Sequence, residues 1–115
     1  CLAGGPITAE ANDVIESAIR EVGPLPELLD ARGIARITRG ENAKATADFR
    51  EACLAPTPRR LLHLAFALCE AGDHDGARAA FARASEHPLF EDALIEPDRR
   101  WFESVQEKLG MEQSH

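Results

Sequence analysis

A small-large-small triplet of side chains recurs three times along the chain, and its spacing constrains the fold more than any other feature. Ala77, Phe81 and Ala84 sit four and three residues apart; Ala45, Phe49 and Ala52 repeat the pattern, and Ala11, Ile15 and Ala18 give a weaker copy. Offsets of four and three place three side chains on one face of a helix. Successive copies begin 34 and 32 residues apart, at Ala11, Ala45 and Ala77. That period fits a pair of helices joined by a turn, a unit that cannot bury its apolar face alone and must stack on its neighbours.

The rest of the sequence agrees with an all-α chain. Ala is abundant and loses no side-chain entropy on helix formation. There is no run of alternating apolar and polar residues rich in β-branched side chains, as a half-buried strand requires. With 115 residues, the chain has room for one domain with a modest core. A net charge of −7 argues against nucleic acid as the principal partner, which needs clustered Lys and Arg; the pairs Arg59-Arg60 and Arg99-Arg100 read as solvated faces. No apolar stretch approaches the roughly 20 residues of a membrane span. Cys1, Cys53 and Cys69 form an odd set without close spacing and suit a reducing compartment, which favours the cytoplasm, although one pair could still bridge.

Caps and breakers divide the chain into helices. Thr8 can cap a helix to about Val22, with Val14, Ile15, Ala18, Ile19 and Val22 on one stripe and Gly23-Pro24 ending it. A hairpin follows over 26–56, with a first helix from Pro26 to Thr38, a turn at Arg39-Gly40, and a second helix from Asn42 to about Leu54. The next hairpin, over 58–88, is the clearest. Thr57 caps a helix that opens on Pro58 and runs to about Ala71; Gly72 closes it, and Asp73 caps a second helix that runs to about Glu86 before Pro88. Ala65 and Ala77 allow close approach of the two helices, and Phe81 plugs the space that the next helix covers. After a short apolar piece, Phe90 to Ile95, a last helix over 97–109 carries Trp101, Phe102, Val105 and Leu109 on one stripe. Asp98, Arg99, Glu103, Glu107 and Lys108 fall mostly away from that stripe. Residues 111–115 read as a frayed tail.

Leu61, Leu64, Ala65, Leu68, Gly72, Ala77, Phe81 and Ala84 match the pattern of the tetratricopeptide repeat, and the chain resembles the C-terminal end of an array of that family. The resemblance implies antiparallel hairpins stacked as a short right-handed α-solenoid, closed by a C-terminal capping helix. The helix over 8–22 then corresponds to the second helix of a repeat whose first is missing, so Cys1 reads as a cut through an array; a lipid-bearing mature N-terminus is the other reading of Cys1.

No catalytic, metal or cofactor constellation is expected. Cys69 and His74 lack the tight ligand pairs of a zinc site, and no thiol has an orienting Asp or Asn at a recognisable spacing. Carboxylates read as solvent-facing. The expected function is therefore a protein-interaction module, not an enzyme. In the resembled family the first helix of each repeat lines a concave groove that holds a peptide or a partner helix. Carried over by position, Glu27, Asp30, Ile34 and Ile37 line it from one repeat, and Arg59, Leu62, His63, Phe66, Cys69 and Glu70 from the next. Ile34, Ile37, Leu62 and Phe66 form its apolar strip, so Phe66→Ala and Leu62→Asp are expected to weaken a partner and spare the fold. The basic cluster with which some family members bind a C-terminal carboxylate is absent here. The alternative is structural: the C-terminal helix or a missing neighbour covers the strip, and the chain caps a larger array or self-associates as a homo-oligomer through the helix over 8–22.

Overall fold

A computed structural model describes residues 9–87, 94 and 98–110. These form six α-helices and no strand: α1 (Ala9–Val22), α2 (Pro26–Thr38), α3 (Asn42–Ala52), α4 (Pro58–Glu70), α5 (His74–Ala84) and α6 (Asp98–Lys108). The Thr8 cap, Pro88, the Phe90 to Ile95 piece apart from Leu94, Pro97 and the tail from Met111 lie outside the described residues. No helix among the described residues is long and apolar enough to cross a membrane.

Local chemistry accounts for where the helices start and stop. The Thr57 hydroxyl accepts a hydrogen bond from the Arg60 N–H at 3.1 Å, and the Asp73 carboxylate accepts one from the Gly76 N–H at 3.0 Å. Each satisfies an orphan donor of its helix and contributes about 1 kcal/mol. The α2–α3 and α4–α5 turns are built alike. Gly40 and Gly72 have φ of 82° and 84°. Their left-handed conformation lets Glu41 N–H reach the Arg36 carbonyl, and Asp73 N–H the Leu68 carbonyl, both at 2.9 Å. The structure ends α3 at Ala52 and α5 at Ala84, each two residues earlier than the sequence reading; their last turns tighten, with Leu54 N–H on the Glu51 carbonyl and Glu86 N–H on the Arg83 carbonyl.

The two short turns force α2 against α3 and α4 against α5 as antiparallel pairs. The pairs then pack together through α3 on α4 and α2 on α4; α1 lies on α2, and α6 lies on α4. The repeated triplets supply the seams, since Ala45, Phe49, Ala52, Ala77, Phe81 and Ala84 are all buried. Gly33 is a point of close approach between α2 and α3: a Cβ built there would lie 2.5 Å from Cε1 of Phe49, so no larger residue fits without moving the ring. The core continues from Phe49 through Leu61, Leu62, Leu64 and Leu68 to Phe81, and Phe102, Val105 and Leu109 of α6 extend it.

Candidate functional site: the first-helix face and its buried carboxylates

Helix α4 is the middle of three helices, with α2 on one side and α6 on another, and it carries six of the ten groove residues expected from sequence. At its centre the His63 side chain is 0% exposed. Its Nδ1 lies 2.9 and 3.0 Å from the two carboxylate oxygens of Asp30 on α2, and its Nε2 lies 2.7 Å from Oδ1 of Asp98 on α6. Both aspartates are themselves buried. Arg59, one turn earlier on α4, donates through Nε to Oδ2 of Asp98 at 2.5 Å and holds Nη1 3.9 Å from Oδ2 of Asp30. Two carboxylates, one imidazole and one guanidinium thus form a column that ties three helices together.

Carboxylates accept hydrogen bonds and do not donate them, so an imidazole between two of them is fully satisfied only when both ring nitrogens carry hydrogen. Burial alone would lower the His63 pKa, but hydrogen bonds and charge from Asp30 and Asp98 outweigh it and hold the pKa above its ordinary value. Asp98 shows the converse: burial would raise its pKa, and His63 and Arg59 together pull it below the usual carboxylate value. Aromatic rings pack round the imidazole, Phe49 at 5.7 Å and Trp101 edge-on at 5.3 Å between centroids.

A second polar junction ties α1, α2 and α3. Asp48, buried on α3, accepts from Arg32 Nε at 3.1 Å and Nη2 at 2.9 Å and from Arg36 Nη1 at 2.9 Å; Arg32 Nη1 also reaches Glu16 on α1 at 3.3 Å. Bidentate arginine pairing of this kind is directional as well as strong.

These positions correct three expectations. Asp30, Asp48 and Asp98 are buried and paired, so the carboxylates do not all face solvent. Asp98 is 2% exposed and faces α4, where the sequence reading turned it away. Leu62, His63 and Cys69 are buried with Asp30 and are not presented to a groove in this structure, because α6 and the hairpin seam close over that part of α4. Leu62→Asp would place a charge in the core and cost the fold, not only a partner. Phe66 is half-buried: its ring stacks on Trp101 of α6 at 4.3 Å and 6° between planes, and Lys108, paired with Glu70, sits 5.9 Å from the ring centroid. Ile34 and Ile37 pack on the core but remain partly open, and Glu27, Arg59 and Glu70 are exposed.

The two described thiols are poorly placed for nucleophilic work. Burial, with a contribution from Asp30, pushes Cys53 up to about 11, and burial likewise raises Cys69; a protonated thiol is a weak nucleophile. The sequence signal for the column was its spacing: Asp30, His63 and Asp98 are 33 and 35 residues apart, close to the 34 and 32 that separate the triplets. The period that marks the triplets also brings these three to one level on neighbouring helices. No protein-family model, curated protein or solved structure matches the chain.

Proposed function

We propose that this chain is a non-enzymatic, tetratricopeptide-like scaffold whose hairpins stack as a right-handed solenoid and whose first-helix face binds a protein or peptide. The observation that supports this reading most is that Ile34 and Ile37 of α2 and Phe66 of α4 pack on the core yet stay partly open, while Glu27, Arg59 and Glu70 of the same two helices are exposed. The strip is apolar enough to supply affinity and its rim is charged enough to orient an extended ligand. Ile34→Ser combined with Ile37→Ser should lower recovery of a specific partner on the immobilised chain by about tenfold or more, the effect of roughly 1.4 kcal/mol of lost binding, with the far-UV circular dichroism unchanged. Equal recovery by the wild type and a folded double variant would end the reading.

A second reading, that the chain docks on a further helix or on its own copy, is supported by α1. None of the side chains described on α1 is buried, and Val14 and Val22 are 67% and 59% exposed along one stripe with Ala18 between them. Leu25, just beyond, is also exposed. Light scattering over a concentration series should show dimer formation that Val14→Lys with Val22→Lys abolishes. A strict monomer at the highest concentrations would exclude self-association.

A further inference from the structure

We infer that the docking of the first turn of α6 on α4 is gated by a proton: the Asp30–His63–Asp98 column is a latch that holds this turn while both imidazole nitrogens carry hydrogen and frees it when one is lost, the rest of α6 staying on the core through Phe102, Val105 and Leu109. The latch stands on the geometry of the column alone; that its release uncovers a binding face rests on the reading above.

Among the described residues, the charged groups in contact with His63 are Asp30 from α2 and Asp98 from α6, and Arg59 of α4 lies against both carboxylates. Cys53, at the end of α3, lies close enough to Asp30 to feel its charge and titrates only at about 11. With His63 protonated, two positive and two negative charges balance in a site nearly closed to water. When one proton leaves, the imidazole keeps a single N–H and must give it to one carboxylate. Asp98 retains Arg59 at 2.5 Å, whereas the guanidinium is 3.9 Å from Asp30. The remaining hydrogen is therefore better used at Nδ1, toward Asp30. The Nε2 lone pair then faces Oδ1 of Asp98 at a separation of 2.7 Å, acceptor against acceptor, at the first residue of α6. Arg59 cannot compensate alone, since its side chain is 57% exposed and its pair is screened by solvent.

The consequence falls on the face discussed above. Trp101, two residues after Arg99 and on the same helix as Asp98, is the flat cover on Phe66. Loosening the first turn of α6 moves Trp101 off Phe66 and opens that ring, while Phe102, Val105 and Leu109 keep the rest of the helix on the core. In this state Trp101 no longer covers Phe66, so the latch acts as an autoinhibitory contact.

The chain supplies its own reporter, because Trp101 is its only tryptophan. Raising the pH from 6 to 10 should shift Trp101 emission to longer wavelength in one reversible step, with no more far-UV helicity lost than the first turn of α6 contributes. Nitrogen-15 NMR of the wild-type ring should find both nitrogens protonated at pH 6, and the loss of a proton should coincide with the emission step. His63→Gln, which cannot donate in both directions, should leave Trp101 exposed at every pH and abolish the step; Lys108→Met should retain it, which separates the latch from the Lys108–Glu70 pair. Should His63→Gln fail to fold, the two wild-type titrations decide. A ring carrying one hydrogen at pH 6, or emission that stays constant while His63 loses its proton, would overturn the latch.

Discussion

Replacing His63 by Leu should cost about 3–5 kcal/mol of folding stability at pH 6, the range found when one partner is removed from a buried ionic group. This is a large share of the roughly 5–15 kcal/mol that holds a domain together. The leucine fills much of the same volume, so little of the loss is packing. What remains is two carboxylates, Asp30 and Asp98, deep in the chain, which have lost the donor that lay between them and keep the Arg59 guanidinium, whose side chain is 57% exposed. Urea unfolding followed by circular dichroism should show the loss as a lower midpoint at unchanged slope. The triple variant His63→Leu, Asp30→Ala, Asp98→Ala should recover much of it, because removing every charge of a buried group also removes its desolvation cost. A His63→Leu cost below about 1 kcal/mol would mean that the column is solvated in solution.

The pH dependence follows from the directions of the shifts. The folded-state pKa of His63 is raised above its ordinary 6.5, so its contribution is complete below that value and is lost as pH rises through the folded pKa. The folded-state pKa of Asp98 is lowered from 3.8, so its contribution is present above that value and is lost as pH falls through the lower one. The stability difference between wild type and His63→Leu should therefore be widest in mildly acidic to neutral solution and narrow on both sides.

Much of the architecture was readable from the residues because it depends on local and periodic chemistry. Thr57, Asp73, Gly40 and Gly72 act within a few residues of themselves, and each is found doing so in the folded chain. The triplet residues of α3 and α5 are apolar, so period and burial coincide. The polar junctions were not readable in the same way. Asp30, Asp48 and Asp98 look like any surface carboxylate, since charged residues are almost never buried unless paired, and pairing is a property of helices brought together from distant positions. His63 fell on the apolar side of α4, and its two partners lie close to one period away in each direction. For the groove the residues left two readings open, Leu62, His63 and Cys69 on an open face or covered by the C-terminal helix, and the placement of α6 against α4 goes with the second at these three positions.

The same dependence on placement ranks the three triplets. Phe49→Ala should cost about 3–5 kcal/mol, and Phe81→Ala about the same, because each removes a fully or nearly fully buried ring whose walls cannot follow it inward. For Phe49 the walls are backbone and a clamped side chain. The ring lies directly on α2 where Gly33 leaves no Cβ, and on its other side is the imidazole of His63, held at both nitrogens. Phe81 meets Phe102 of α6 at 5.3 Å, so its loss also loosens the helix whose first turn the latch controls. Ile15 holds the equivalent place on α1 but is only half-buried, and Ile15→Ala should cost roughly 1 kcal/mol, in proportion to the area it hides. Because Phe49 and His63 touch, Phe49→Ala with His63→Leu should depart from additivity, while Ile15→Ala with His63→Leu should add simply. Unfolding midpoints of the three single and two double variants give the ranking directly. If Phe49→Ala costs no more than Ile15→Ala, then the recurring triplet does not encode burial, and the stacking of hairpins inferred from it loses its physical basis.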